Sequence, residues 1–517
     1  MPASTHHARN GMVCTVDHLA SAAGVAALRA GGTAADAAIA ANAVLTVTAP
    51  HMCGLGGDLF ALVHDAPGRP AVLNASGRAG SGADAARLRA EGRTEMPFHD
   101  DVRSVTVPGC VAGWQALHER YGLLPLAELL APAIDYAASG FPASPLLAWV
   151  AGLIAGVPGA EDLAEVDRPG RLVRRPGVAR MLRAVAAEGA EGFYQGEFGA
   201  ALIEIGAGEY TEADLAAARG EWVEPVGLRV FGHDVWTVPP NSQGYLVPMA
   251  LGIAERLGLP DDPADPLWAH LMVEAARLAG HDRGSALYDG ADVSALLAPA
   301  ELDARAAAVR PDRRAAVADL TASGDTTYLC AADGSGRAVS LIQSNASGFG
   351  SRLFAPGTGV NLHNRGIGFS LAAGHPAEYA PGRRPPHTLS PVLITHPDGS
   401  LYGVAGTMGG DIQPQVVQQV LARLLLHGQD VAAAVAAPRW ATSATNGFDT
   451  WADPDGAGVR VEEGAPAAWV PGLRDRGHPA ETVPQGFAHA HAITRDPDGT
   501  LSGAADHRAL IAAAAGY

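Results

Sequence analysis

The middle of the chain reads Gly324-Asp325-Thr326-Thr327-Tyr328-Leu329-Cys330-Ala331-Ala332, followed by a turn at Asp333-Gly334-Ser335-Gly336 and by the apolar run Ala338 to Gln343. Two apolar, partly β-branched runs joined by a glycine-rich turn predict two antiparallel strands. The first of these strands begins at a pair of hydroxyl side chains. Further along lie a Gly-Phe-Gly turn at 348–350 and a Met-Gly-Gly-Asp turn at 408–411. Together these parts can expose a hydroxyl nucleophile beside backbone N–H donors.

The rest of the chain predicts helices and strands in alternating blocks. Residues 17–49 indicate two helices, with Asp17 as the N-cap of the first and Gly31-Gly32 as its end. Residues 60–73 indicate a hairpin, and helices dominate from 111 to about 320, including an exposed helix over 300–317. Strands are predicted at 391–396 and 401–405, before a helix over 414–427. Periodicity alone therefore predicts a mixed α and β protein.

Length and charge limit the classes of protein to consider. With 517 residues the chain exceeds the roughly 250 to 300 residues of a single core, so we expect two structural halves. It carries 36 Lys plus Arg against 54 Asp plus Glu, a formal net charge of −18. This excess of acid argues against nucleic acid or an anionic membrane as a partner.

The cysteines and the amino terminus indicate a reducing compartment. The four cysteines, at 14, 53, 110 and 330, have neither disulfide-framework nor metal-ligand spacing, so we expect buried thiols. The first residues show no basic segment followed by an apolar run, and no stretch approaches the roughly 20 apolar residues of a membrane span. We expect a cytoplasmic protein.

A set of short motifs, in order, resembles the gamma-glutamyltranspeptidase family. The motifs are Asp17-His18-Leu19-Ala20-Ser21, Gly31 to Ala38, Gly54-Leu55-Gly56-Gly57-Asp58, Val107-Pro108-Gly109, Gly192 to Gly196, Thr211 to Leu215, Pro239 to Gly244, Glu274-Ala275-Ala276, Gly348 to Ser351, Pro381 to Pro385, Gly409-Gly410 and Asp506-His507-Arg508. Each motif is weak alone, and the ordered set covers nearly the whole chain.

The resemblance implies a fold and a maturation step. The implied fold is α/β, a four-layer αββα sandwich of the N-terminal nucleophile hydrolase type. Members of the family are made as one chain that cuts itself ahead of a threonine. Here the cut would fall between Asp325 and Thr326, giving a helix-rich large subunit, 1–325, and a small subunit, 326–517, that stay associated. The processed heterodimer could pair with a second copy as a homodimer.

The resemblance also assigns catalytic residues. Thr326 would be the nucleophile, because a free α-amino group on the same residue can act as its base, which a peptide nitrogen cannot. Ser344 matches the family's second hydroxyl residue, which hydrogen-bonds the nucleophile. Gly409 and Gly410 match the pair whose N–H groups hold the oxyanion.

The substrate pocket departs from the family pattern. Relatives that bind a γ-glutamyl group use a segment of the type Asn-Asn-x-Met-Asp-Asp-Phe, and here it reads His363-Asn364-Arg365-Gly366-Ile367-Gly368-Phe369. The acid has become Gly368 and its polar partner Arg365, so a cation stands where the substrate's ammonium group would bind. The family's Ser-Ser pair is replaced by His387-Thr388.

These replacements predict a compact, carboxylate-bearing substrate. Arg78 lies near the position of the family's carboxylate-binding arginine, with one or two residues of slippage, and a surface arginine is the alternative. With Arg365, His387 and Thr388 it would bind a carboxylate next to the scissile carbonyl. The pattern resembles the branch of the family that includes oxamate amidohydrolase, which implies hydrolysis of an oxamate-like amide of a 2-oxo acid.

Three alternatives remain open: a γ-glutamyl hydrolase or transpeptidase acting on glutathione, a β-lactam side-chain acylase, and an uncut, non-catalytic binding protein. We expect no cofactor, since the Gly54–Gly57 turn lacks the Lys-Ser or Lys-Thr pair of a phosphate loop. We expect no metal either, on the hypothesis that none of the histidines at 6, 7, 270, 363 and 396 has a ligand-type partner four residues away.

Overall fold

The computed structural model describes residues 4–315, 326–443 and 458–517. The strands are β1 (His6–Ala8), β2 (Gly11–Thr15), β3 (Asp58–His64), β4 (Ala71–Ala75), β5 (Phe141–Pro142), β6 (Leu172–Val173), β7 (Glu221–Val223), β8 (Val226–Val230), β9 (His233–Thr237), β10 (Thr327–Asp333), β11 (Ala338–Ser344), β12 (Phe354–Ala355), β13 (Val360–Asn361), β14 (Val392–Thr395), β15 (Leu401–Thr407), β16 (Trp440–Ser443), β17 (Gly458–Glu462), β18 (Ala480–Val483), β19 (Ala490–Arg495), β20 (Leu501–Ala505) and β21 (Ala513–Gly516).

The helices are α1 (His18–Arg29), α2 (Ala34–Thr48), α3 (Ala85–Ala90), α4 (Cys110–Tyr121), α5 (Leu126–Ser139), α6 (Pro145–Val150), α7 (Pro176–Glu188), α8 (Ala190–Tyr194), α9 (Glu197–Gly206), α10 (Glu212–Ala216), α11 (Leu246–Leu257), α12 (Pro266–Gly280), α13 (Arg283–Ala286), α14 (Pro299–Ala308), α15 (Gln413–Leu421), α16 (Val431–Ala436) and α17 (Trp469–Asp475). One π-helical turn, Ala422–Leu426, extends α15.

Two antiparallel sheets, each of seven strands within the described ranges, form the centre of the molecule. The order in the first is β21-β2-β10-β11-β3-β4-β7, and in the second β1-β20-β19-β15-β14-β9-β8. In both sheets, strands that precede residue 326 pair directly with strands that follow it. Examples are β2 with β10, β11 with β3 and β14 with β9.

Alternation along the strands divides the apolar interior into three layers. In β3, Leu59, Ala61 and Val63 pack with helices such as α2 and α4, whereas Phe60 and Leu62 pack between the two sheets. Strand β14 follows the same rule on the other sheet: Leu393 faces the layer between the sheets, and its neighbours face α11, α12 and α15. Successive side chains of a strand point to opposite faces, so each sheet is covered on both sides. The result is the predicted four-layer αββα sandwich.

The first two helices form as the sequence predicts. Asp17 caps α1 by accepting from the amide of Leu19, and Thr33 with Asp36 makes a capping box at the start of α2. Every residue of α2 is buried. A helix buried on all sides has no polar face, which fits its run of alanine and aliphatic residues.

Other predictions are confirmed with one correction. The 60–73 hairpin is β3 and β4, the strand pair after Thr326 is β10 and β11, and the predicted 414–427 helix is α15 with its π turn. The exposed helix over 300–317 is too long, because α14 ends at Ala308. Pro311 favours extended backbone in the residue before it, which ends the helix early. Residues 316 and 317 lie outside the described residues.

Two further expectations from the sequence concern the state of the cysteines and the character of the helices. All four cysteines are buried free thiols, with Cys14 directly opposite Cys330 across β2 and β10. Of the helices in the described residues, none combines the length and apolar character needed to cross a membrane.

Candidate active site

Thr326 lies immediately before β10, buried, at one end of the first sheet. Thr327 pairs with Gln343, so the register brings Thr326 beside Ser344, the last residue of β11. The two hydroxyl oxygens are 3.1 Å apart. The Ser344 hydroxyl also accepts from the amide of Ala346 at 2.8 Å, which fixes its orientation. The predicted nucleophile and second hydroxyl are therefore in hydrogen-bond contact.

The Gly409-Gly410 turn leads into α15, the helix that contacts this pair. Its φ angles are 122° and 56°, a region that favours glycine, and it connects β15 to α15. Gln413, at the start of α15, directs its side-chain amide to the Thr326 hydroxyl at 3.4 Å. Among the described residues, no group accepts from the amide of Gly409 or Gly410. The start of α15 is therefore close to the Thr326 hydroxyl, and the role of the two glycine amides as oxyanion donors stays a prediction.

A buried glutamine braces this turn. The side-chain N–H groups of Gln243 donate to the carbonyl oxygens of Gly410 and Thr388, at 3.2 and 3.0 Å. Its own side-chain oxygen accepts from Arg283, and Arg283 pairs with Asp411 at 2.7 Å. The glutamine thus holds the glycine turn and the 387–388 segment together. Gln243 lies in the Pro239–Gly244 motif, but no local pattern in the sequence pointed to this role.

Arg365, His387 and Thr388 form one buried polar cluster with Asp58. Arg365 donates to the Thr388 hydroxyl at 3.2 Å, and His387 Nε2 lies 3.3 Å from Asp58 Oδ2. The other Asp58 oxygen accepts from the amides of Gly77 and Gly109, at 2.9 and 3.2 Å. Asp58 pairs with Ser344 across β3 and β11, so the cluster adjoins the nucleophile end of the sheet.

Burial sets the charge of this cluster. It lowers the pKa of His387 to about 4, despite the hydrogen bond to Asp58, so the imidazole is neutral at pH 7. Burial raises the pKa of Asp58, but His363, His387 and the amide of Gly77 outweigh that effect and hold it below its usual value. The cluster therefore contains one carboxylate, Asp58, and one guanidinium, Arg365.

Gly368 leaves no room for the acid found in γ-glutamyl-binding relatives. A Cβ atom at this position would lie 2.6 Å from the carbonyl oxygen of Pro386 and 3.3 Å from Nη2 of Arg365. A side chain there would crowd the backbone and point toward the guanidinium.

Arg78 lies in a different cluster. Its side chain, 41% exposed, pairs with Glu221 at 3.1 Å and with Asp289 at 3.3 Å. Its neighbour Gly77 contacts Asp58, so the backbone borders the polar cluster while the side chain points to the acids. The structure brings Arg365, His387 and Thr388 together, and it gives Arg78 two carboxylate partners of its own. Its role in substrate binding stays a prediction.

Asp58 is the site residue that sequence analysis missed most clearly. It ends the Gly54–Asp58 motif, which contributed to the family resemblance but was given no catalytic or binding role. A carboxylate directly after a glycine-rich turn, at the start of an apolar strand, could have marked it as a buried acid. Asp325, the other half of the predicted cleavage site, lies outside the described residues, so the cleavage also stays a prediction.

One statement about metal ligands was wrong. Glu274 follows His270 by four residues, and with His478 they form a buried group whose candidate ligand atoms all lie within 4.8 Å of one another. Glu274 is already paired with Arg277 at 2.6 Å, and His270 Nδ1 lies 2.9 Å from His478 Nε2. These side chains bind each other.

Comparison with known proteins finds relatives along nearly the whole chain. The family model described as gamma-glutamyltranspeptidase matches residues 20–516. An oxamate amidohydrolase proenzyme from Klebsiella pneumoniae subsp. pneumoniae is 36% identical, covering 99% of this chain and 100% of the relative. An acylase ACY 1 proenzyme from Pseudomonas sp. (strain SE83) is 34% identical, covering 96% and 92%. The crystal structure of cephalosporin acylase from Bacillus halodurans superposes with a TM-score of 0.89 at 34% identity, covering 99% and 97%.

Proposed function

Because the chain belongs to the gamma-glutamyltranspeptidase family of N-terminal nucleophile hydrolases, we propose that it hydrolyses an amide or related acyl bond in a small carboxylate-bearing substrate. The proposed substrate is oxamate or another monoamide of a small dicarboxylic acid, and the acyl group passes through an ester of Thr326. Its similarity to an oxamate amidohydrolase supports this substrate class.

Activity requires a free amino group on Thr326. In the proposed maturation the Thr326 hydroxyl attacks the carbonyl of Asp325, the C–N bond breaks, and water hydrolyses the resulting ester. This leaves residues 1–325 ending in a carboxylate and residues 326–517 beginning with an α-amine. The fragments remain joined because strands from both pair within each sheet.

Turnover then proceeds in two halves. The α-amine of Thr326 takes the hydroxyl proton as the oxygen attacks the substrate carbonyl, and the amides of Gly409 and Gly410 stabilise the oxyanion. The proton passes to the leaving amine as the C–N bond breaks. Water, activated by the same α-amine, attacks the ester and releases the acid with a regenerated hydroxyl. Ser344 orients the nucleophile throughout.

The observation that carries the substrate assignment is the buried Arg365 beside Gly368. A guanidinium offers paired donors to a carboxylate, and here it is held by Thr388 next to neutral His387. Arg365 taken alone would repel an ammonium group in that position by roughly 4 kcal/mol at about 4 Å and an effective dielectric of 20. A γ-glutamyl group is therefore disfavoured, and a carboxylate adjacent to the scissile bond is favoured.

The test is a substrate panel on purified, processed protein. It contains oxamate, monoamides of longer dicarboxylic acids and γ-glutamyl-p-nitroanilide, with ammonia or nitroaniline release as the readout. We expect ammonia from oxamate or a close homologue. Nitroaniline release at high rate, without turnover of any acid amide, would identify a γ-glutamyl enzyme and refute the pocket assignment.

A β-lactam side-chain acylase is the second candidate. The fold similarity to cephalosporin acylase, with a TM-score of 0.89, favours it. Glutaryl amides added to the same panel distinguish this activity from the first. The third alternative, an uncut binding protein, predicts a single band of 52.8 kDa on a denaturing gel. Two bands, the smaller with the amino-terminal sequence Thr-Thr-Tyr, would eliminate it.

A further inference from the structure

A second buried ionic cluster lies on α12, away from the hydroxyl pair. We call it the α12 cluster, and its members are His270, Glu274, Arg277 and His478. The first three are spaced at i, i+4 and i+7, so they lie on one face of the helix. All four are buried. Burying charged groups is costly unless each finds a partner, so the contacts of this cluster call for an explanation.

The α12 cluster binds backbone atoms of one loop segment, residues 310–315. Glu274 accepts from the amide of Ala315 at 2.7 Å, while two nitrogens of Arg277 donate to the carbonyl of the same residue, each at 3.2 Å. His270 Nε2 donates to the carbonyl of Arg310 at 2.7 Å. The segment is thus held at both of its ends by buried side chains.

The loop around residue 476 adds further contacts to this segment. The backbone amide of Arg314 donates to the carbonyl of Arg476 at 2.7 Å. In return the Arg476 side chain donates to the carbonyl of Pro311 at 2.8 Å. Residues 311–313 are otherwise exposed. Water can solvate an exposed loop without such contacts, so we infer that these contacts fix the position of the loop.

The hydrogen positions fit an attachment site better than a metal site. A carbonyl can only accept, so His270 carries its proton on Nε2 and accepts on Nδ1 from His478, 2.9 Å away. The guanidinium of Arg277 is 2.6 Å from the Glu274 oxygen that a cation would need, and it would repel the cation. Each of these groups already has a protein partner.

The position of the segment in the chain suggests what the attachment is for. In the sequence, only the ten residues 316–325 connect Ala315 to Thr326, so the segment lies shortly before the proposed cleavage point. We propose that the α12 cluster is a positioning site for self-cleavage. By holding Ala315, it fixes the starting point of the ten-residue connection that leads to Thr326. This inference rests on the proposed function, since it concerns the maturation of that same site.

Self-cleavage depends on geometry between neighbouring atoms, and a misplacement of about 1 Å can cost about a hundredfold in rate. Two substitutions release Ala315 in different ways. Glu274→Gln removes the charge that binds the amide and Arg277. Ala315→Pro removes the N–H itself and leaves every member of the cluster in place, so it covers the case in which Glu274→Gln does not fold. Glu301→Gln is the control. It also removes the charge of a glutamate paired with an arginine, Arg305, but the Glu301 side chain is 39% exposed and lies in the preceding helix, α14.

The experiment follows conversion of freshly synthesised chain into two fragments on denaturing gels, and then measures kcat and the thermal midpoint of the matured fraction. We expect cleavage about a hundredfold slower in Ala315→Pro and Glu274→Gln, unchanged in Glu301→Gln, and a normal kcat once each variant is cut. This separation of cleavage rate from kcat is one that a general loss of structure would not give.

Three results would overturn the inference. They are cleavage at the wild-type rate in both variants, loss of kcat and thermal midpoint in proportion to the slower cleavage, or Zn²⁺ that copurifies with the wild type and is lost in His270→Ala. A wild-type chain that is never cut would instead refute the proposed function on which the inference rests. A cut wild type with wild-type cleavage rates in the variants leaves that function standing.

Discussion

Gly368 offers a direct test of how the pocket selects charge. We predict that Gly368→Asp abolishes the preference for acid-bearing substrates, whereas Gly368→Ala does not. Both substitutions add a Cβ atom that meets the carbonyl oxygen of Pro386 at 2.6 Å, so both carry the same local crowding. Only the aspartate places a carboxylate against Arg365, whose nearest nitrogen lies 3.3 Å from that Cβ. The alanine variant is therefore a matched control for the steric effect.

The size of the charge effect follows from the distances. A substrate carboxylate bound by Arg365 would lie about 5 to 6 Å from the new aspartate, and two like charges at that separation repel by about 3 kcal/mol at an effective dielectric of 20. This corresponds to roughly a hundredfold loss in kcat/KM relative to Gly368→Ala. Oxamide, which has an amide in place of the carboxylate of oxamate, should show no such difference between the two variants.

The assay measures ammonia release from oxamate, or from the best acid amide of the substrate panel, and from oxamide, with wild type and both variants at pH 7.5. Gel analysis first establishes that each variant is fully cut. If Gly368→Asp and Gly368→Ala turn over the acid equally well, the carboxylate does not bind at Arg365, and the electrostatic account of the pocket is wrong.

Three further predictions concern the nucleophile end of the site and its surroundings. Gly409→Ala should lower kcat by about 10²- to 10³-fold, because a side chain at φ 122° shifts an oxyanion donor; unchanged kcat in steady-state assays would exclude that turn as the oxyanion hole. Thr326→Ala should leave one band of 52.8 kDa with no turnover, and Thr326→Ser should restore cutting; any cleavage of the alanine variant at this bond would place the nucleophile elsewhere. Protonation of His387 should destabilise the protein in acid. Burial lowers the pKa of His387 from 6.5 to about 4, so as the pH falls the unfolded chain takes up this proton before the folded chain does. The free energy of unfolding should therefore be about 2 kcal/mol lower at pH 5 than at pH 7.5. Thermal midpoints at the two pH values should therefore differ less in His387→Asn than in wild type, and equal differences would contradict the assigned pKa.

Local features of the sequence predicted the parts of the site that depend on neighbouring residues. The strand pair after Thr326 was predictable because alternation and a glycine-rich turn fix its register, and the register alone sets the contact with Ser344. The glycine turn was predictable because only glycine adopts its backbone angles without strain.

Contacts between distant residues were not predictable in this way. Asp58 and His387 are 329 positions apart and meet only because two sheets stack, so no local pattern marks the pair. Arg78 was predicted to act together with Arg365, His387 and Thr388, but the direction of its side chain depends on Glu221 and Asp289, which come from distant segments. Likewise, the length of α14 was overestimated because its composition is helical until Pro311 interrupts it.

The alternating origin of the strands has a consequence for the handling of the mature protein. In the first sheet, β2 lies between β21 and β10, so a strand of the amino-terminal part is held on both edges by strands from beyond residue 326. With the proposed cut before Thr326, neither fragment would contain a complete sheet, and separating the fragments would require both sheets to unfold. Renaturation would then be a second-order encounter between two incomplete halves. The uncut chain would fold by a unimolecular route, and the cut protein could not repeat that route after denaturation.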